Sequence, residues 1–295
     1  MVASIVGNYL VAKDLITAEQ LNDVLKEQSK VRVKLGLIAV AEGLMSQDEA
    51  DRVNQLQAIM DKRFGDIAIE KGYLTEGQVE SLLKKQGNAY LAFAQALENQ
   101  QLMSIEQLEQ YLVDFRCENN LTASDLEDIK SNDVDRVLRL YLPIEGEKYL
   151  PMAGIAVRTL MRLVDTELYP KKAQIVSELE ADNGAIQYVE GKPGVHCGMA
   201  AKENNLLYTA SVFGQEEFAS VDMDALDAVA ELMNCMNGLY ASALSKEGIS
   251  MELMPPEYSD KIAKLTCQEM LVLPLVIGGC NVNFVMAIDN KIEMN

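Results

Sequence analysis

The sequence predicts an α+β chain: an all-helical N-terminal repeat domain, then a domain in which helices pack on an antiparallel or mixed sheet. Three observations carry this. The first 115 residues repeat with a period of 29, the hydrophobic spacing after residue 170 turns to short apolar runs and alternation, and one long helix at residues 224–244 is marked at both ends. At 295 residues the chain is long enough for about two domains of ordinary size. The expected divisions are a repeat domain over 1–115, a linker helix over 116–145 and a second domain over 146–295.

In the repeat, Gly7, Gly36, Gly65 and Ala94 open the units, Thr17, Ser46, Thr75 and Ser104 follow ten residues later, and Gln28, Gln57 and Gln86 close the first three. Each Thr or Ser is followed three residues on by Gln20, Glu49, Gln78 or Gln107, the pattern of a capping box. Before each cap lies a short apolar stretch, such as residues 35–40 or 64–69, and then a turn at Gly43 or Gly72. Each unit is therefore two short helices, too small to bury its own apolar face. Four in tandem would share a core, with the fourth, lacking the glycine and the glutamine, as an end cap.

Arg63-Phe64-Gly65 with Gln86, and Lys34-Leu35-Gly36 with Gln57, resemble the R-L-G and distal glutamine of the N-terminal domain of type II secretion and pilus ATPases. In some members that domain binds cyclic di-GMP, so the resemblance implies a nucleotide site at Lys34, Leu35, Gln57, Arg63, Phe64, Gly65 and Gln86. A guanidinium can pair with a phosphate in bidentate fashion, and backbone freed by glycine can approach a nucleotide. The departures are Ile5-Val6-Gly7, which has no basic residue, Lys34 in place of the arginine, and Asn54 where the helix stripe wants leucine. Lysine lacks the planar fork. These departures favour a helical interaction platform that has kept the fold without the ligand.

Residues 125–142 read as a charged helix between domains, ended by Pro143 and Gly146. A helix over 152–168 precedes Pro170. Strands follow at 173–179, 184–189 and 195–200, with Gly191-Lys-Pro-Gly194 as a turn, and a short helix runs over 206–213. After the long helix, residues 250–254 form a strand that Pro255-Pro256 must terminate or push to an edge, and residues 268–277 and 280–288 make a hairpin across Gly278-Gly279. Pro274 in mid-strand implies an edge or a bulge.

The long helix has two faces. Leu226, Val229, Met233, Met236, Tyr240 and Leu244 recur at three- and four-residue steps and form an apolar stripe. Asp227, Glu231, Asn234 and Gly238 form a second, polar stripe, roughly 150° around the helix at about 100° per residue. Asp222, Asp224 and Asp227 suit the positive end of the helix dipole, and Lys246 and Gly248 mark its C-terminus. Glu231 and Asn234 project side by side, so one can hold a cation while the other aims a water. Neither is a strong nucleophile. That favours chemistry by positioning, in which a partner brings the reactive bond and the helix orders a water for in-line attack. Gly238, one turn on, would let a partner's backbone come close.

Asp227-x3-Glu231-x2-Asn234, with Gly238 a turn later and Pro255-Pro256 downstream, resembles the signature of the CheC/CheX/FliY phosphatases, which dephosphorylate the response regulator CheY. The order of helices and strands follows CheX over about half the chain, and the single copy of the motif is CheX-like, since CheC would show two. The distance to the prolines is slightly shorter than the family pattern. The resemblance implies a CheX-like C-terminal domain and a phospho-aspartyl response regulator as partner. Asn234 would orient the attacking water, Glu231 would pair with the regulator's active-site lysine, and Asp227 and Gly238 would support them. It also implies no metal or cofactor of the chain's own, because the magnesium would sit in the regulator, and a homodimer formed by pairing of strand edges.

Composition limits the other classes. The chain is 49% apolar with a net charge of −19, divided as −6 over residues 1–115 and −13 over the remainder, so both parts repel a nucleic-acid backbone. The sequence has no run of eighteen apolar residues and no basic lead at its start, which leads to an expectation of a cytoplasmic protein without a membrane span or signal peptide. Cys117, Cys197, Cys235, Cys267 and Cys280 are odd in number and far apart in sequence, as reduced core thiols would be. His196 is the only histidine, so a histidine-based zinc site or a Ser/His/Asp triad is not expected, and a structural role on a strand is. Beside the phosphatase stand two alternatives: a non-catalytic adaptor that docks a signalling or secretion partner through the repeats, and a cyclic di-GMP sensor that controls the second domain.

Overall fold

The computed structural model describes residues 1–60 and 62–295, with the side chains of residues 58 and 59 left aside. The chain divides into two compact units, Met1–Asp133 and Val134–Asn295. The charged segment expected as one linker helix is two helices, α9 (Ala123–Ser131) in the first unit and α10 (Val134–Tyr141) in the second. Asn132 separates them in the left-handed conformation, φ 55°, which ends a helix.

The first unit is built from helix pairs: α1 (Val2–Ala12) with α2 (Ala18–Gln28), α3 (Leu35–Ala41) with α4 (Gln47–Met60), α5 (Phe64–Glu70) with α6 (Glu76–Lys84), and α7 (Ala89–Asn99) with α8 (Ile105–Glu118). The second helix of each pair starts at residue 18, 47, 76 or 105, which keeps the 29-residue period. Thr17, Thr75 and Ser104 each close a full capping box. Ser46 does the same with Glu49, whose carboxylate accepts from the Ser46 N–H at 2.8 Å while Ser46 Oγ accepts from the Glu49 N–H at 3.3 Å.

The recurring glycines have a packing cause. A Cβ on Gly7 would meet Leu21 at 2.2 Å, on Gly36 Phe64 at 3.0 Å and Ala50 at 3.4 Å, and on Gly65 Val79 at 2.9 Å. Each glycine lets the first helix of its pair cross close over the second. The fourth pair is not an end cap. Its α7 lies against α1, α2 and α3, and Phe93, Ala94, Ala96 and Leu97 are fully or almost fully buried. With Ala94 at the crossing and an apolar surface on several sides, this pair closes on the first and second instead of shielding an open end.

In the second unit, α10 and a 3-10 turn (Ile144–Tyr149) lead into α11 (Leu150–Leu163), shorter at its C-terminal end than the sequence suggests. The sheet follows: β1 (Tyr169–Pro170), β2 (Gln174–Glu180), β3 (Asn183–Glu190) and β4 (Val195–Ala201) precede α12 (Leu207–Gly214) and the long helix α13 (Met223–Lys246). Then come β5 (Glu252–Leu253), β6 (Glu257–Ser259), β7 (Lys264–Ile277), β8 (Cys280–Ile288) and β9 (Glu293–Met294). The strand order is β1-β7-β8-β4-β3-β5, and the described pairings are antiparallel.

Alternation along the strands sorts two cores. Ala185, Cys197, Met199, Leu271, Leu273, Phe284 and Met286 face α11 and α13, with Leu226, Val229, Met233, Met236 and Tyr240 of the apolar stripe packed among them. Ile186, Ala200, Val272, Val285 and Ala287 form a smaller cluster on the opposite face. His196 lies on β4, stacked on Tyr188 with ring centroids 4.5 Å apart.

Both proline features resolve. Pro274 pairs with Asn283 of β8, and its carbonyl accepts from the Lys171 N–H at 2.8 Å, in the gap between β1 and β2. Its missing N–H faces the gap where one neighbour ends and the next begins, so neither an outer edge nor a bulge is needed. Pro255-Pro256 split one edge strand in two. β5 pairs with Val189–Glu190 and β6 with Gly184–Ile186 of β3, so the expected strand at 250–254 shrinks to two residues and pairing lapses opposite Gln187.

Candidate functional site

Helix α13 starts at Asp222, whose side chain accepts from the Ala225 N–H at 3.1 Å, and ends just before Gly248, φ 82°. Its apolar stripe is anchored in the core, so the opposite stripe is turned outward. Asp227 and Glu231 are exposed, and Asn234 and Gly238 are half-buried. Asp227 is tied to the edge strand: Tyr258 of β6 donates its hydroxyl to Asp227 Oδ1 at 3.0 Å, and that carboxylate holds the phenol above its ordinary pKa. Glu231 has no side-chain partner among the described residues. A Cβ on Gly238 would meet nothing within 4 Å.

Asn234 is partly engaged inward. Its Oδ1 accepts from Nε2 of Gln187, which also donates to the Met254 carbonyl at 2.7 Å. Asn237 donates from Nδ2 to Gln187 Oε1 at 2.6 Å, and the Cys197 thiol donates to Asn237 Oδ1 at 2.8 Å. Burial pushes the Cys197 thiol up to about 12. Sequence reasoning missed Gln187, Asn237 and Tyr258. Two of them left a signal, since Gln187 is a polar residue on an otherwise buried run of β3 and Asn237 sits among Met233, Met236 and Tyr240 on the core side of α13. Their partnership spans 50 residues and leaves no local trace.

The five cysteines are free, but the expectation of core thiols holds for Cys197 alone: Cys117 and Cys235 are exposed, and Cys267 and Cys280 half-buried. Cys235 follows Asn234 on α13, which places it outside the apolar stripe.

In the first unit, Lys34, Leu35, Gln57, Arg63, Phe64, Gly65 and Gln86 all line one cavity of ≈ 940 Å³, together with Arg32, Asn54, Asp66, Val79 and Leu83. Leu35, Phe64 and Gly65 are buried, whereas Lys34 and Arg63 are exposed. Gln86 already donates to the Val33 carbonyl at 2.9 Å, and Gly65 is explained by its contact with Val79.

No family model and no curated protein matches the chain. Among solved structures, its neighbours include CheX- and CheC-like chemotaxis proteins, a FliY from Thermotoga maritima and a FliM middle domain from H. pylori. A CheC-like superfamily protein from Shewanella sp. PV-4 is 18% identical with a TM-score of 0.42, over 47% of this chain and 94% of that one. The chemotaxis protein CheX from Desulfovibrio desulfuricans is 16% identical with a TM-score of 0.41, over 48% and 99%. CheX from the CheX–CheY–BeF3–Mg complex of Borrelia burgdorferi is 17% identical with a TM-score of 0.35, over 47% and 95%. The secretion ATPase resemblance of the repeats gains no support from these neighbours. No helix of the described residues is long and apolar enough to cross a membrane.

Proposed function

We propose that the second unit is a phosphatase for a phospho-aspartyl response regulator of the CheY type, acting in chemotaxis or two-component signalling. The observation that carries this is the outward stripe of α13, where Glu231 is exposed with no hydrogen bond or ion pair among the described residues and the half-buried Asn234 lies three residues on. The reaction needs little from this chain beyond positioning. A water held by Asn234 attacks phosphorus in line, and the P–O bond to the aspartyl oxygen breaks with its electron pair going to the carboxylate. The water gives up a proton to solvent as phosphate leaves. Glu231 pairs with the regulator's lysine and fixes the approach, while Asp227, clamped by Tyr258, and Gly238 shape the contact. The regulator carries the magnesium that shields the phosphoryl oxygens.

The test is phosphate loss from each phosphorylated regulator encoded in the same genome. Wild type is expected to speed loss from at least one, Asn234→Ala to lower that rate by about 10²-fold or more, and Glu231→Ala to weaken it mainly through the apparent affinity. A wild type that adds nothing to any regulator's own rate overturns the reading and leaves a docking protein. The homodimer that the family resemblance implies is read by sedimentation, with a concentration-independent monomer as the opposing result.

A second reading concerns the first unit, and the cavity that brings all seven candidate nucleotide residues together favours it. Its volume is in the range that holds a nucleotide-sized ligand, with Arg32, Lys34 and Arg63 for phosphates and Leu35, Phe64 and Leu83 for bases. Titration calorimetry with cyclic di-GMP is expected to show a dissociation constant below about 50 µM that Arg63→Ala weakens at least about tenfold. No heat at that concentration leaves these residues as structural.

A further inference from the structure

A buried polar chain lies beneath Asn234, in a core where aliphatic side chains would pack more cheaply. Gln187 is 1% exposed and Asn237 and Cys197 are 0% exposed. Gln187 and Cys197 sit directly opposite each other on β3 and β4, both on the face under α13. The oxygen and nitrogen of a carboxamide have nearly the same shape, so its sense is decided by its partners. Here one partner is unambiguous. The Met254 carbonyl, just before the two prolines, can only accept, so the atom of Gln187 that lies 2.7 Å from it must be Nε2.

The rest follows by elimination. With Nε2 on that side, the atom of Asn234 in contact with it must be the acceptor Oδ1. Gln187 Oε1 then needs a donor and finds Nδ2 of Asn237 at 2.6 Å. Asn237 Oδ1 needs one in turn, and the Cys197 thiol supplies it at 2.8 Å. Burial keeps that thiol protonated at neutral pH. The direction is consistent from thiol to surface, and it ends with Nδ2 of Asn234 unpartnered among the described residues, one helical turn from Glu231.

We infer that Gln187 is a positioning residue for Asn234: referenced to the fixed Met254 carbonyl, it holds Oδ1 inward, so that Nδ2 is the group offered to the attacking water. An N–H that donates to one lone pair of the water leaves the other free to face phosphorus. The inverted carboxamide would instead bind a water proton and leave that lone pair unaimed. The catalytic part rests on the phosphatase reading, whereas the direction of the hydrogen bonds does not.

Two measurements on the full chain test it separately. In ¹⁵N spectra of the side-chain amides, assigned through Gln187→Met, Asn237→Leu and Asn234→Ser, the Gln187 and Asn237 hydrogens should exchange with solvent at least about tenfold more slowly than those of Asn234. Protected Asn234 hydrogens beside freely exchanging Gln187 hydrogens overturn the assigned direction. In phosphate release, Gln187→Met should lower kcat by about 10- to 100-fold with KM for the phosphorylated regulator within about twofold. Gln187→Leu, which removes both amide groups in a side chain of similar volume, should show the same loss, and it serves if the methionine variant does not fold. A folded Gln187 variant with unchanged kcat overturns the positioning role. A wild type with the expected exchange pattern and no activity on any regulator instead overturns the phosphatase reading and the catalytic role, and leaves the direction standing.

Discussion

Gly238 is a helix-interior glycine whose missing side chain would point into open space, so no contact among the described residues requires it. Gly238→Ala should therefore raise stability by about 0.5–1 kcal/mol, the ordinary helix preference for alanine, measured by urea denaturation. If a partner's backbone approaches there, the same change raises KM for the phosphorylated regulator. A more stable variant with unchanged KM removes Gly238 from the contact. The cysteines differ as sharply. At pH 8, iodoacetamide followed by mass spectrometry should label Cys117 and Cys235 in the native protein and spare Cys197, which reacts only after unfolding. Because burial raises the folded pKa of Cys197 to about 12, its contribution to stability is complete below the unfolded value near about 8.5 and is lost as pH rises from there towards 12. Glu231, Asn234 and Gly238 were legible as an outward stripe because helical periodicity is a local property. Gln187 was not, since its meaning depends on a carbonyl 67 residues away.

At the level of elements, the turn inside each helix pair takes a left-handed residue at the same repeat position: Asp14 at φ 57°, Gly43 at 65°, Gly72 at 75° and Gln101 at 56°. Glycine adopts this conformation without strain, and the other two do so at a cost of roughly 1 kcal/mol. Gln101→Gly should accordingly stabilise the first unit by up to about 1 kcal/mol and Gly72→Ala destabilise it by about as much, both read from thermal unfolding. The capping boxes and the turn glycines made the helix pairs readable, because each is a local contact three or four residues long. The glycines at 7, 36 and 65 were visible too, but their cause was not. Those at 36 and 65 were read as letting backbone approach a nucleotide, and all three also accommodate a helix crossing fourteen residues further on. Pro274 shows the same limit, since the gap it faces is defined by β1 and β2, about a hundred residues earlier in the chain.

At the scale of the molecule, the two units meet at Asp133–Val134 in sequence, so α10 belongs with the sheet. Val137 and Leu138 are both 0% exposed, and Leu138 lies in the same core as α11 and α13. A fragment of residues 134–295 should fold cooperatively and keep whatever phosphatase activity the full chain has. A fragment starting at residue 146, where composition alone would place the boundary, should be several kcal/mol less stable, given about 1.5–3 kcal/mol for each large buried aliphatic side chain. Equal unfolding midpoints for the two would place α10 outside the unit. The α+β class and the order of the elements were legible, because periodicity and punctuation by glycine and proline report them directly. The boundary was not, since a short charged helix looks alike in sequence whether it bridges two bodies or belongs to one. The fourth helix pair was misread for a related reason: its lost glycine and glutamine mark a change of neighbours, and sequence does not say which neighbours. Because that pair returns to the first and second, it is not an expendable end of a linear stack. An open stack can lose its last unit and remain sound, but here loss of the fourth pair would bare apolar faces of the first and second together, so evolution is left to vary that pair's surface and not to dispense with it.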